Sequence, residues 1–236
     1  MVRARYASTV VLVRPEKNDS FEILLTRRPA EMKFLGGFYV FPGGTVHEDD
    51  YSPRTIERCR GLSGEEARRL LGNRHDNDVA LGHWVAAVRE LFEEVGILLC
   101  ESASGKPVAA GEEATKRRLE EQRKAIVKQE LAFGDFLASE DLYCDLLRIT
   151  YFFHRVTPEI YSMRFDTRFY LASLPPGQSP LARSEEVTDS VWLKAHEALA
   201  RGYREDFPIL PPTTTVLDEF AGIASWKELR ERFDLR

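Results

Sequence analysis

Three glutamates, Glu90, Glu93 and Glu94, fall within five consecutive positions of the sequence. Carboxylates about 6 Å apart repel one another by roughly 3 kcal/mol per pair at an effective dielectric constant of about 20. A partly buried cluster of such acids therefore needs a cation. Mg²⁺ is commonly held by one or two carboxylates, with water and substrate phosphate oxygens completing its coordination. The residue types and their spacing indicate metal-assisted chemistry on a phosphate group.

A single helix can present these acids together. Apolar residues recur at helical spacing from Asp78 to Val95, and Gly96 is well placed as a left-handed C-terminal cap. Because each helical residue advances by about 100°, the three carboxylates fall within an arc of roughly 100°. The opposite side carries an apolar stripe: Leu81, Trp84, Val88, Leu91, Phe92 and Val95. Arg89 only flanks the acidic arc, whereas an ordinary solvated helix face mixes both charge signs.

A predicted strand upstream ends in the glycine turn FPGG, residues 41–44. Paired glycines let the backbone approach a ligand closely and turn a carbonyl oxygen toward a metal. Together with AAVRELFEEVGI, residues 86–97, this turn resembles the box of the Nudix hydrolase family, GX5EX7REUXEEXGU, in which U is a bulky apolar residue. The matching residues are Gly44, Arg89, Glu90, Leu91, Glu93, Glu94, Gly96 and Ile97.

The sequence departs from the Nudix pattern in two places. The first glutamate of the box falls on Asp50, a shorter acid, and Glu48 is an alternative candidate for its role. In addition, 44 residues separate Gly44 from Arg89, where the pattern has 13. The loop-closure cost of such a lengthening is on the order of 1 kcal/mol, so the turn and the helix can still meet in space. The insertion therefore bears on the substrate rather than on the chemistry.

The resemblance implies a role for each matching residue. Glu90, Glu93 and Glu94 are expected to bind Mg²⁺ or Mn²⁺ with the help of the Gly43 carbonyl, and Arg89 is expected to orient them by ion pairing. The reaction of the family is attack of water on phosphorus in a nucleoside diphosphate linked to another group. Metal ions assist such a reaction by polarising phosphoryl oxygens and activating water.

The general base is a separate question. In some Nudix hydrolases it is a glutamate in a loop before a late strand, which makes Glu185 and Glu186 the candidates. We assign the role to Glu186. The alternative interpretation is an ordinary pair of solvated loop acids.

Residues 24–44, LLTRRPAEMKFLGGFYVFPGG, resemble the coenzyme A diphosphatase signature LLTXRSX3RX3GX3FPGG. The resemblance implies that Arg28, Lys33, Phe41 and Gly44 bind substrate, although Lys33 replaces an arginine and loses its bidentate fork. Coenzyme A or acyl-coenzyme A, cut to 3',5'-ADP and a phosphopantetheine, is the leading hypothesis. Two alternatives stay open: a hydrolase of ADP-ribose, NADH or another nucleotide conjugate, and a ligand-binding module without catalysis.

Strands and helices interleave along the chain without a clear linker. Strands are predicted at residues 7–13, 22–26, 38–44, 147–153, 167–173 and 190–193, and helices at 63–71, 78–95, 111–130 and 213–223. The pattern predicts one α/β domain over residues 1–236. The resemblance specifies a Nudix fold, a mixed sheet between helices, with insertions at about 51–80 and 102–146. We expect the helix at 111–130, with its mixed charges, to be solvated.

Composition restricts the class of protein. A formal net charge of -5 argues against a nucleic-acid binder, which would normally carry a basic patch. No segment approaches eighteen apolar residues, and the three cysteines form neither a disulfide framework nor a CxxC site. We therefore expect a cytoplasmic enzyme that acts on a small nucleotide, without a membrane or nucleic-acid partner, and a homodimer is one expected assembly.

Overall fold

The computed structural model describes residues 2–32, 35–108 and 113–236. The strands in these ranges are β1 Arg5–Pro15, β2 Phe21–Arg27, β3 Tyr39–Val40, β4 Gly43–Thr45, β5 Cys59–Arg60, β6 Cys100–Ser102, β7 Leu142–Asp145, β8 Ile149–Val156, β9 Phe165–Ser173 and β10 Asp189–Leu193. The α-helices are α1 Pro53–Ile56, α2 Gly64–Leu70, α3 Asn77–Val95, α4 Glu113–Val127, α5 Phe133–Ser139, α6 Ala195–Arg201, α7 Pro211–Ala221 and α8 Trp226–Phe233. Short 3₁₀ turns lie at Lys17–Asp19, Glu48–Tyr51 and Leu146–Arg148.

The main sheet is mixed, with strand order β10-β2-β1-β9-β8, and β3 and β4 pair with β2 and β1. Strand β1 is central: it runs parallel to β9, with Val11 opposite Leu171, and antiparallel to β2, with Val13 opposite Ile23. Strand β4 also pairs antiparallel with β1, so that Gly43 lies opposite Thr9. This pairing fixes the glycine turn against the middle of the sheet.

Alternate residues of β1 enter two separate hydrophobic cores, because successive side chains of a strand point to opposite faces. Val10 and Leu12 join the core that contains Trp84 of α3. Val11 and Val13 join the core that contains Phe220 of α7. The mixed sheet therefore lies between helices, as predicted.

Helix α3 is buried on almost every side, and its predicted apolar stripe lies in the core. It begins at Asn77, one residue before the predicted start. It ends at Gly96, which adopts φ 70° and ψ 12° and donates its N–H to the Phe92 carbonyl at 2.9 Å. This left-handed cap is the one predicted from the sequence.

The insertions contain strands as well as helices. Strands β5, β7 and β6 form a second, three-stranded sheet, and these strands were missed at the sequence level because each has only two to four residues. Each contributes one cysteine at the same register: Cys144 lies opposite both Cys59 and Cys100. All three cysteines are free thiols.

The prediction of a solvated helix at 111–130 is wrong for one face. Residues 111 and 112 lie outside the described ranges, and α4 buries Leu119, Arg123 and Ile126. Besides Glu120 on the same helix, Arg123 contacts the Glu93 carbonyl and the Glu185 carboxylate on other elements, and the local charge pattern does not reveal these two partners.

None of the helices in the described ranges combines the length and the apolar character needed to cross a membrane.

Candidate active site

Helix α3 carries the acidic cluster into the protein rather than onto a solvated face. Glu90 and Glu94 are 5% and 2% exposed, and Glu93 is half-buried. Buried charges are stable only when they are paired or bind a cation. The surroundings of these carboxylates therefore decide what the cluster can do.

Arg89 is the centre of the ion-pair network. Its guanidinium contacts Asp50 through Nε at 2.7 Å and through Nη2 at 3.0 Å. Its Nη1 contacts Glu90 at 2.8 Å and Glu93 at 3.0 Å, and Nη2 also donates to the Thr45 carbonyl at 2.8 Å. Arg89 therefore holds two of the three glutamates, the geometry expected of an orienting residue.

The sequence offered two candidates for the first acid of the Nudix box, Asp50 and Glu48, and the structure places them in different surroundings. Asp50 is fully buried against Arg89, whereas Glu48 is exposed. The Asp50 carboxylate also accepts the His47 N–H at 2.7 Å, which fixes the 3₁₀ turn that follows β4. The shorter acid thus reaches Arg89 from a turn, not from a helix.

The glycine turn lies directly against the acids. A Cβ on Gly44 would meet the Glu90 carboxylate, and a Cβ on Gly43 would lie 2.5 Å from the carbonyl oxygen of Ser8 in β1. Gly43 is therefore restricted to glycine by the close backbone of β1, whereas at Gly44 a methyl group would displace the Glu90 carboxylate. Phe41, at the start of the turn, is buried and lines the same cavity as both glycines.

Glu94 faces a different arginine. Arg28 Nη1 lies 3.8 Å from Glu94 Oε1. Arg28 Nε is buried and has no hydrogen-bond partner in the described part of the chain. Arg28 is thus close to the acids and retains an unused donor, as a phosphate-binding arginine would. Lys33, the other predicted basic residue, lies outside the described residues.

The acids are not electrically balanced. If Asp50, Glu90, Glu93 and Glu94 are all ionised, their four negative charges exceed the charges of Arg89 and Arg28 by two. Burial raises the pKa of Glu90 to about 7, partly opposed by Arg89. Burial, and then the charge of Glu90, raises the pKa of Glu94 well above its usual range.

The two candidate bases have different surroundings. Glu185 pairs with Arg123 at 2.9 Å. Glu186 lines the cavity beside Glu93, and its charge adds to the effect of burial in raising the pKa of Glu93 and Glu94. Glu186 is therefore the one of the pair that faces the acidic cluster.

A cavity of about 690 Å³ joins part of this set, whereas Asp50, Glu94 and Glu185 do not line it. Its charged lining residues are Arg28, Arg89, Glu90, Glu93 and Glu186, and His47 and Asp49 also line it. The predicted insertion contributes Ile126, Val127, Leu131 and Phe133, and other apolar lining residues include Met32, Leu35, Phe165 and Leu210. The size is that of a pocket for a nucleotide-sized ligand, since small-molecule sites occupy roughly 300–1,000 Å³.

Carboxylate oxygens and uncompensated negative charge are the chemistry that a hard divalent cation requires. The oxygens of Glu90 and Glu93 are directed at Arg89. Among the residues that the structure describes, no three His, Cys, Asp or Glu side chains already surround one point. The donor set fits Mg²⁺ or Mn²⁺ in charge and type.

Comparison with solved structures finds a NUDIX hydrolase from Alicyclobacillus acidocaldarius that is similar over 96% of this chain and 95% of the other, with 26% identity and a TM-score of 0.78. The mixed sheet between helices, with an acidic helix beneath a glycine turn, is thus the fold of the Nudix hydrolase class. The family model of the NUDT19 Nudix domain matches residues 57–218, and the chain belongs to this family of Nudix hydrolases.

Curated relatives agree with the family. The acyl-coenzyme A diphosphatase NUDT19 of Gallus gallus is 27% identical over 252 residues, which cover 89% of this chain and 64% of that protein. The human protein of the same name is 26% identical over 247 residues, with coverage of 92% and 65%. Putative nudix hydrolase 7 of Caenorhabditis elegans is 24% identical over 211 residues, with coverage of 89% and 59%. The chain spans less than two thirds of the length of these relatives.

Proposed function

We propose that the chain hydrolyses the diphosphate bond of coenzyme A or acyl-coenzyme A, releasing 3',5'-ADP and a phosphopantetheine or its acyl form. One observation carries the proposal: a single cavity joins Arg28 and the acidic residues Glu90, Glu93 and Glu186 to the glycine turn. A diphosphate bound there would lie beside the Arg28 guanidinium and an acidic cluster that attracts cations.

Glu90, Glu93 and Glu94 would hold Mg²⁺ or Mn²⁺ together with the carbonyl of Gly43. Support comes from the hard oxygen donors and from the excess of two negative charges that the cluster carries when its acids are all ionised. A bound divalent ion polarises phosphoryl oxygens and lowers the pKa of water. Arg89 keeps Glu90 and Glu93 in place, through contacts that do not involve the metal.

The remaining residues either bind substrate or transfer a proton. Arg28 and Lys33 bind the diphosphate oxygens, and Phe41 and Gly44 form the surface on which the substrate lies. Glu186 accepts a proton from the attacking water, because it is the one of the two loop acids that faces the cavity. Cytoplasmic location and a homodimer stay predictions of the sequence.

Two observations favour coenzyme A over other nucleotide conjugates. The segment 24–44 matches its diphosphatase signature at most positions, and the relatives from Gallus gallus and Homo sapiens are named acyl-coenzyme A diphosphatases. The apolar part of the lining, which includes Met32, Phe165 and Leu210, suits the uncharged pantetheine arm or an acyl chain.

The direct test is hydrolysis by the purified protein with Mg²⁺ or Mn²⁺. Coenzyme A, acyl-coenzyme A, ADP-ribose, NADH and nucleoside triphosphates are supplied separately, and products are identified by mass. We expect 3',5'-ADP from the first two at the highest kcat/KM. Cleavage of coenzyme A no faster than of ADP-ribose or NADH would refute the substrate, and full activity of Glu94→Gln would refute the metal assignment.

Two neighbouring arginines provide a test variant and a matched control for the proposed contact with phosphate. Arg28 lines the cavity, and its Nε has no hydrogen-bond partner among the described residues. Arg27 is used structurally, since its Nε donates to the Gly37 carbonyl at 3.0 Å. We expect Arg28→Gln to raise KM by roughly 10- to 100-fold, the loss of one charged hydrogen bond. Arg27→Gln is the control, and an equal rise in KM there would contradict the assignment.

A further inference from the structure

The C-terminal end of α3 is completed by groups from outside the helix. The last four carbonyls of a helix have no partner within it, and they require one when the end is buried. Each of these carbonyls has a donor. The Phe92 carbonyl accepts from the Gly96 N–H at 2.9 Å and the Glu93 carbonyl from Arg123 Nη1 at 2.6 Å. The Glu94 carbonyl accepts from Ser184 Oγ at 2.8 Å and the Val95 carbonyl from the Leu181 N–H at 2.9 Å. Three of these four donors belong to α4 or to the loop at 181–187.

Arg123 makes more than this one contact. It is 2% exposed, and its Nε and Nη2 bind both carboxylate oxygens of Glu120 at 2.8 and 2.9 Å. Its Nη2 also donates to Glu185 at 2.9 Å. One guanidinium therefore joins α4, the acid-bearing end of α3 and the loop at 181–187.

The loop at 181–187, which Arg123 joins to α3 and α4, carries Glu186. Glu185 is fixed by Arg123, and Ser184 is fixed both by the Glu94 carbonyl and by its own N–H bond to the Val187 carbonyl at 2.8 Å. Glu186 lies between these anchors. Since both of its flanks are tied, its side chain is directed into the cavity toward Glu93 and Glu94.

We propose that Arg123 is a positioning residue, which acts on the reaction by fixing the loop that presents Glu186. This inference rests on the proposed function, because it takes Glu186 as the proton acceptor. It gives the insertion around α4 a purpose in the reaction besides forming a cavity wall. Arg123 itself does not line the cavity, so its effect has to pass through Glu185 and Glu186.

The first measurement does not depend on activity. Amide hydrogen exchange of residues 181–187 is compared in the wild type, Arg123→Gln, Glu185→Gln and Arg118→Gln. Arg118 is the matched control, since it lies on the same helix and pairs with Glu140 at 3.0 Å, and it is half-exposed. We expect faster exchange in the first two variants only. Unchanged exchange in both Arg123→Gln and Glu185→Gln would overturn the proposal.

The second measurement is a double-mutant cycle with Glu186→Gln. We expect Arg123→Gln and Glu185→Gln to lower kcat by roughly 10-fold or more with little change in KM, as misplacement of a reacting group does. Arg123→Lys should restore part of the loss. In the Glu186→Gln background the Arg123 change should have no further effect on kcat.

The outcomes separate the two proposals. Losses of kcat that multiply in the double variant would overturn the role of Arg123 as a positioning residue, and so would a rise in KM alone. A wild-type protein that cleaves no nucleotide conjugate would refute the proposed function, while hydrogen exchange would still decide whether Arg123 fixes the loop. Glu185→Gln changes a partly exposed side chain, so the test survives if Arg123→Gln unfolds the protein.

Discussion

Asp50 binds Arg89 through both carboxylate oxygens, across 39 residues of sequence that include the long insertion. Both side chains are buried, and the same guanidinium reaches Glu90 and Glu93. Asp50 therefore belongs to the acidic site through arginine, although it is not one of the three glutamates on α3.

Asp50→Asn tests this connection. It removes one charge from a buried pair and should lower the free energy of unfolding by about 3 kcal/mol, together with the hydrolytic rate. Urea denaturation measures the first effect and the rate of product formation the second. Asp135→Asn is the control, because the Asp135–Arg54 pair is exposed and is worth about 0–1 kcal/mol. Equal losses in both variants would contradict the argument.

Gly44→Ala should separate activity from folding. The new methyl group meets the Glu90 carboxylate and displaces it, while the extended backbone of β4 accepts alanine. We expect a fall in kcat of roughly 100-fold, the cost of misplacing one group by about 1 Å. In Gly222→Ala the nearest atom to the new Cβ is 3.5 Å away, so this variant should stay active. Steady-state kinetics and circular dichroism compare the two, and full activity of Gly44→Ala would refute the close contact.

Binding of a divalent metal should increase the free energy of unfolding. At 100 times its dissociation constant, Mg²⁺ or Mn²⁺ should stabilise the wild type by about 2.7 kcal/mol, and EDTA should reverse the gain. Thermal unfolding with and without metal is the measurement. Glu94→Gln should lose most of this response, and an unaltered response would exclude Glu94 as a ligand.

Glu94→Gln should also be more stable than the wild type without metal at pH 8. Burial raises the folded-state pKa of Glu94 above its unfolded value, so its protonated form stabilises the fold at low pH and this stability is lost as the pH rises. Glutamine removes the ionisation. We expect the difference in melting temperature to shrink at pH 4, and a constant difference would contradict this origin.

His83 should make the protein sensitive to acid. Burial, followed by the charges of Arg168 and His75, lowers its pKa from 6.5 to about 2. Because the folded pKa lies below the unfolded one, the stability is fully present above pH 6.5 and is lost as the pH falls. The slope is at most about 1.4 kcal/mol per pH unit.

His83→Leu checks this prediction. Its unfolding free energy between pH 7 and pH 4 should fall less steeply than that of the wild type. The Ser8 hydroxyl still has the backbone carbonyl of residue 83 as its partner at 2.7 Å, so it is not left unpaired. His196→Leu, at an exposed position, is the control and should follow the wild type. Parallel curves for all three proteins would exclude His83 as the source.

The parts of this fold that sequence could predict depend on local patterns. The bounds of α3 follow from apolar periodicity and from the left-handed conformation that Gly96 adopts without strain. Glu90, Glu93, the glycine turn and Arg28 line one cavity, although they come from two separate motifs. Short motifs carry this information because neighbouring positions already fix the geometry.

The contacts that sequence did not reveal join distant segments or use the backbone. The burial of Arg123 depends on the Glu93 carbonyl, which any residue type could supply. The choice between Asp50 and Glu48 depended on how the 3₁₀ turn packs against α3. Glu185 and Glu186 are adjacent and chemically identical, so only their surroundings distinguish them: Arg123 binds Glu185, and Glu186 lines the cavity.

The contact between Ser184 and the Glu94 carbonyl spans 90 residues, and it sets an order of events during synthesis. At roughly 5–20 residues per second, a ribosome completes α3 several seconds before it delivers the loop that caps it. Until then the carbonyls of Glu94 and Val95 lack their final partners, and the acidic end of the helix is free to fray. We therefore expect the acid-bearing end of α3 to become rigid only after the loop at 181–187 has been synthesised, later than every strand of the main sheet except β10.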